Sequence, residues 1–167
     1  MKISKILLSV ILMSLGVTAM QAQTLFGKAT LFNDGWLFSL SDAPEMSTVE
    51  YVDSGWRPLT LPHDWSIEHL AAPTLNSCTG YFPGGIGWYR KHFAIPENAA
   101  PKQFLYFEGV YNRSKVYVNG HLVGERPNGY VSFAYDITPY LNPVGEDNVI
   151  AVRVDHSREA DSRWYTG

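Results

Sequence analysis

Asp155, His156 and Ser157 stand side by side and supply the residue types of a serine hydrolase: carboxylate, base and nucleophile. Neighbours on an extended chain point to opposite faces, and no loop with the character of an oxyanion hole accompanies them, so the spacing argues against a triad. His63-Asp64, and His156 with Asp155 or Asp161, offer metal-binding atoms without the ligand spacing of a familiar metal site. For Asp64 a capping or turn role is the expected one. Cys78 is the single cysteine, so no disulfide forms within the chain, and neither Ser77 nor Thr79 would lower its thiol pKa. Hydrolysis of a glycoside with retention needs two carboxylates about 5–5.5 Å apart. Spacing singles out no such pair among the 16 acidic residues. Phosphate-binding glycine loops and dinucleotide fingerprints are missing. Asn112-Arg113-Ser114 fits the glycosylation triplet, a pattern too short to carry weight.

The chemistry is thus sparse, and the elements that would position it come next. Lys2 and Lys5 precede an apolar run from Ile6 to Val17 that ends in small residues, the pattern of a secretory signal peptide over residues 1–22. The run is shorter than the roughly 20 residues that cross a bilayer, and cleavage after Ala19 or Ala22 would release a mature chain of about 23–167. A periplasmic or secreted location is expected, with no membrane contact after cleavage. Thirteen basic and 16 acidic residues give a net charge of -3 without any like-charge run, so nucleic acid is not an expected partner. Aromatic residues make up 14%, including five Trp, which suits a β-rich core or a carbohydrate-contacting surface better than a helical bundle.

Strand signals recur at short intervals along the mature chain, and no window shows convincing helical periodicity. Trp88 to Ile95 alternates, with Tyr89, Phe93 and Ile95 on one face and Arg90 and His92 on the other. Phe104 to Phe107 is continuously apolar, as in a strand covered on both sides. Lys115 to Val123 reads as a hairpin, because Asn119-Gly120 supplies the positive φ angles of a type I′ turn between two β-branched runs. Phe133 to Ile137 is a further strand, and Val149 to Asp155 turns Ile150, Val152 and Val154 inward and Arg153 outward. About seven short strands predict two packed antiparallel sheets, an all-β jelly-roll sandwich. Trp56 to Glu68 and Ala71 to Gly87 are expected to be irregular and to serve binding or contact with another domain. Trp36, Trp56 and Trp88 are expected in the core.

Ordered along the chain, Leu61-Pro62-His63-Asp64-Trp65, Gly87-Trp88-Tyr89-Arg90-Lys91, Phe107-Glu108-Gly109-Val110, Val116-Tyr117-Val118-Asn119-Gly120, Gly129-Tyr130, Asp136-Ile137-Thr138, Asn148 to Val154 and Asp161-Ser162-Arg163-Trp164-Tyr165 resemble the N-terminal sugar-binding domain of family 2 glycoside hydrolases. Among members they look most like exported bacterial β-galactosidases; β-glucuronidases and β-mannosidases stay open. The resemblance implies a galactose-binding-like jelly roll over 23–167, followed in the whole enzyme by an immunoglobulin-like domain and a barrel that carries both catalytic glutamates. It also implies that the familiar segment continues past Gly167, so this chain holds no catalytic residue and needs no cofactor of its own. A divalent or monovalent cation, where one is used, would belong to the full enzyme. Carbohydrate and the two following domains are the implied partners. By the same resemblance Asp161 reaches a substrate sugar, where a carboxylate accepts hydrogen bonds from hydroxyls. Trp164 would stack on a pyranose and Arg163 would hold Asp161 or a barrel loop; alternatively, both form a packed domain contact. A stand-alone carbohydrate-binding module and a structural β-sandwich without a sugar site are the competing readings.

Overall fold

The computed structural model describes residues 29–75 and 80–157. The expected leader, Cys78 and the three expected site residues Asp161, Arg163 and Trp164 lie outside the described residues. Within them the strands are β1 (Trp36–Ser39), β2 (Arg57–Leu59), β3 (Ile86–Ala94), β4 (Phe104–Phe107), β5 (Ser114–Val118), β6 (His121–Arg126), β7 (Phe133–Asp136) and β8 (Asp147–Asp155). Six of them form one sheet in the order β2-β1-β3-β8-β5-β6, and β4 pairs with β7 in a second. Every pairing is antiparallel, so the expected all-β sandwich is what forms.

Alternation along the strands explains the layers. Trp36, Phe38, Tyr89, Val116, Val118, Ile150, Val152 and Val154 from the large sheet pack with Leu105 and Ile137 from the small-sheet side to make the main core. Phe104 and Tyr106 are 37% and 45% exposed, so β4 is covered on one side and not on both. The two-stranded sheet is the outer layer there, and its far face meets solvent. β2 is a second departure from expectation: it lies inside the stretch read as irregular and pairs with β1 at the sheet edge, where Pro58 removes no interior ladder bond.

The opposite face of the large sheet is also covered. Trp88 and Ala151 pack there with Met46, and Ala43, Tyr51, Trp56 and Tyr117 close around them, leaving Trp56 half-buried and not in the main core. This cover buries Arg90 completely. Its Nε donates to Asp53 Oδ2 at 2.8 Å, and its Nη1 donates to the carbonyls of Met46 and Thr48 at 2.7 and 2.9 Å. Arg90 therefore fastens the segment 46–53 across the sheet. Arg153, expected to point outward, is half-buried and donates from Nε and Nη2 to both carboxylate oxygens of Asp42, which also accepts from Trp88 Nε1.

His92 extends the Arg90 fastening, with Nε2 3.2 Å from Asp53 Oδ2 and Nδ1 2.7 Å from Asp147 Oδ2. Burial opposes charging of His92, but the bonds to Asp147 and Asp53 outweigh it and raise its pKa above the ordinary 6.5. A raised folded-state pKa contributes stability that is complete below the unfolded value and lost as pH rises through the folded one. The protein should therefore be less stable at about pH 8.5 than at about pH 6, by less than about 1 kcal/mol because the partners are solvent-accessible. Urea midpoints at the two pH values, compared between the parent and His92→Gln, check this; the variant should lose the His92-dependent part of the difference.

The hairpin forms where expected. Val118 pairs with His121, and Asn119 and Gly120 have φ of 48° and 81°, the left-handed region that a two-residue turn of this kind requires. Asn119 does more than turn the chain. Its Oδ1 accepts from the Val149 N–H at 2.8 Å, and its Nδ2 donates to the Tyr140 carbonyl and to Asn148 Oδ1, each at 2.8 Å. Asn148 is fully buried, and its amide is satisfied by Asn119, the Asn142 N–H and the Glu146 carbonyl. The turn is thereby tied to the start of β8. Ser114 of the glycosylation triplet is 1% exposed on β5, which closes that triplet to an enzyme in the folded state.

Candidate functional site

β8 delivers the chain toward Asp161, and the structure pins its far end residue by residue. Asp155 N–H donates to the Asn112 carbonyl at 3.1 Å. His156 N–H donates to the Gly85 carbonyl at 2.9 Å, with a longer return bond of 3.4 Å from the Gly85 N–H, so the β3 ladder runs one pair beyond the strands themselves. Ser157 N–H donates to Asp155 Oδ1 at 2.9 Å, and its hydroxyl donates to the same oxygen. Arg113 Nη2 donates to Asp155 Oδ1 at 3.1 Å and to the Ser157 carbonyl. Burial works against ionisation of Asp155, yet the Ser157 and Arg113 hydrogen bonds prevail and hold its pKa below the usual carboxylate value.

Asp155, His156 and Ser157 are thus a clamp at the end of β8 and not a triad. The Ser157 hydroxyl faces the carboxylate, and the His156 ring is placed among aromatic rings. It lies edge-on to Trp65 at 6.1 Å and to Tyr111 at 5.3 Å, and Tyr111 in turn meets Tyr130 at 5.2 Å. Tyr130 is 70% exposed, so the row leads from the core to open surface beside the end of β8. The loop before β3, read from the sequence as serving binding or contact with another domain, is tied at its end to this domain: the Gly84 carbonyl accepts from Trp65 Nε1, and its neighbour Gly85 pairs with His156. Arg113 and Tyr111 carry no such signal in the sequence, because nothing in a short Tyr-Asn-Arg-Ser string shows that it meets the end of β8 more than 40 positions later.

His63 and Asp64 separate. Asp64 Oδ1 accepts from the N–H and hydroxyl of Ser66 and caps a turn of 3-10 helix, as expected. His63 sits between Tyr89 Oη at 2.8 Å and Glu68 Oε1 at 3.0 Å, and Arg57 holds both oxygens of Glu68 at 2.8 Å. The Arg57 bonds, helped by His63 and opposed by burial, bring the Glu68 pKa down to about 2. An open groove of about 390 Å³ runs beside Arg57 and Glu68, lined also by Trp56 and Trp65. Its charged groups neutralise one another, which suits a structural tie. Among the described residues no group of three or more His, Cys, Asp or Glu side chains could hold a metal ion.

Residues 29–166 match the model of the glycosyl hydrolases family 2 sugar binding domain. The chain belongs to this family. Its match to the β-galactosidase BoGH2A of Bacteroides ovatus is 48% identical over 139 residues, covering 81% of this chain and 16% of that protein. A β-glucuronidase of Formosa agariphila is 33% identical over 132 residues, 76% of this chain and 13% of its own. The crystal structure of a β-glycosidase from Bacteroides vulgatus superposes with a TM-score of 0.73 at 47% identity, over 83% of this chain and 18% of that one. The matched part of this chain therefore spans only 13–16% of the length of these relatives. The clamp at the end of β8 is the part of the domain from which the chain runs on to Asp161.

Proposed function

We propose that this chain is the N-terminal sugar-binding domain of a longer retaining glycosidase of the β-galactosidase or β-glucuronidase kind, and that it lends Asp161 to the sugar site of the whole enzyme. The observation that carries the reading is the match of residues 29–166 to the family 2 sugar binding domain, in a chain whose match covers 16% of a β-galactosidase relative, together with the clamp that ends four residues before Asp161. Asp161 stands four residues after Ser157, and four residues of chain span at most about 14 Å. Arg163 and Trp164 stand beside it in sequence, as a guanidinium that pairs with carboxylates and a ring that stacks on a pyranose face. The hydrolytic carboxylates belong to the following domains, and export through the N-terminal leader places the enzyme in a periplasm or outside the cell.

In the continuous polypeptide, Asp161→Ala should lower kcat/KM for a p-nitrophenyl β-glycoside about 30-fold, the size expected for lost charge-assisted hydrogen bonds to sugar hydroxyls. Residues 23–167 alone should hydrolyse nothing. Activity unchanged by Asp161→Ala would remove this residue from the sugar site.

A further inference from the structure

The end of the sandwich where β8 leaves the sheet carries bulky apolar side chains that the core does not use. Ile67 and Leu70, at and just after the turn that Asp64 caps, are exposed, Leu70 at 93%, and so are Tyr81, Tyr130 and Val131. Backbone and ring contacts gather them at this end. The Ala72 N–H donates to the Tyr81 carbonyl at 3.0 Å, which sets the chain after Leu70 beside Tyr81. Trp65 Nε1 donates to the Gly84 carbonyl, and the His156 ring meets Trp65 on one side and Tyr111, the ring neighbour of Tyr130, on the other. The segments that present these side chains are poor in charge: residues 70–75, 80–85 and 128–131 contain no Asp, Glu, Lys or Arg, and Glu68 beside Ile67 is held by Arg57. Exposed apolar groups elsewhere sit among charges. Val144 precedes Glu146 and Asp147, and Phe104 faces Asp136 across the ladder, which pairs with Lys102. An apolar surface depleted of charge is the character of a contact that excludes water.

We infer that this end of the sandwich is the docking face for the following part of the same polypeptide, through an apolar contact centred on Leu70, Tyr81 and Tyr130. This rests on the reading that the chain is one domain of a longer enzyme. The match covers 16% of a β-galactosidase relative and 18% of a solved β-glycosidase, so most of such an enzyme lies outside this domain. Described β8 reaches Ser157 at this same end, and successive parts of a chain pack beside one another when the connection is short. A second copy of the chain is the competing occupant. The polypeptide's own continuation is tethered beside the face and reaches it at a high effective concentration, which a free copy lacks.

The test is hydroxyl-radical labelling of the continuous polypeptide, read by mass spectrometry, with the rate at each tyrosine divided by its rate in the urea-unfolded protein. Tyr81 and Tyr130 should each be slowed at least about fivefold, as side chains in the water-excluding core of an interface are, although Tyr130 is 70% exposed on the domain itself. A smaller slowing at either tyrosine would overturn the docking face. Protection that disappears on dilution, as light scattering follows a dimer to a monomer, would assign the face to a second copy and overturn it equally. A purified polypeptide with the mass of residues 23–167 alone overturns instead the reading on which the inference rests.

Discussion

Arg90→Met is expected to destabilise the protein by about 3–5 kcal/mol, the cost of breaking a buried ion pair by removing one partner. The side chain is wholly buried, while Asp53 is 13% exposed and receives its Nε. Methionine fills part of the volume but donates nothing. Three acceptors lose a bond at once: the Asp53 carboxylate, left with His92, and the carbonyls of Met46 and Thr48. In the parent, burial works against the charge on Asp53 and the bonds from Arg90 and His92 more than offset it, so its pKa is lowered. A lowered pKa contributes stability that is present above the unfolded value and lost as pH falls through the folded one. Arg90→Met should therefore also flatten the acid limb of the stability curve below about pH 4. Urea unfolding of Arg90→Met, and of Arg90→Met with Asp53→Asn, provides the test. The double variant should recover part of the loss, because no uncompensated charge remains. A single-variant loss under about 1 kcal/mol would mean that Arg90 contributes no more than an exposed pair does.

Gly84→Val should cost about 3 kcal/mol, at the upper end of what overpacking costs. A Cβ at this position would lie 2.5 Å from the His156 carbonyl oxygen, closer than any real contact, and the obstacle is backbone and cannot rotate away. The strain falls on the Gly85–His156 pair, the last rung that holds the end of β8. If the clamp positions Asp161, the variant loses activity beyond its loss of stability: kcat/KM of the continuous polypeptide should fall about tenfold at temperatures where it is still folded. Thermal unfolding and steady-state kinetics on the same preparation separate the two effects. A variant with an unchanged midpoint would show that the 84–85 segment yields easily to added bulk.

Much of this molecule was legible in the chain wherever the signal is local. Asn119-Gly120 between β-branched runs is a hairpin because only positive φ closes a two-residue turn, and the structure forms it at those two residues. Asp64 caps a turn through an oxygen two residues from the N–H it accepts. Alternation along Val149 to Asp155 places Ile150, Val152 and Val154 in the core because successive side chains point to opposite faces. The all-β class and the family resemblance follow from such pieces and their order. What lay beyond reach depends on partners far along the chain. Asp53 and Arg90 are 37 positions apart, Arg113 and Ser157 are 44 apart, and Asp42 and Arg153 are 111 apart. A strand pattern states which side chains share a face but not what covers that face, so Arg153 reads as simply outward and Phe104 to Phe107 as doubly covered. Only the tertiary fold decides these, because burial and the pairing of a charge are properties of the surface that another segment brings to it, and not of the residue's own neighbours in sequence.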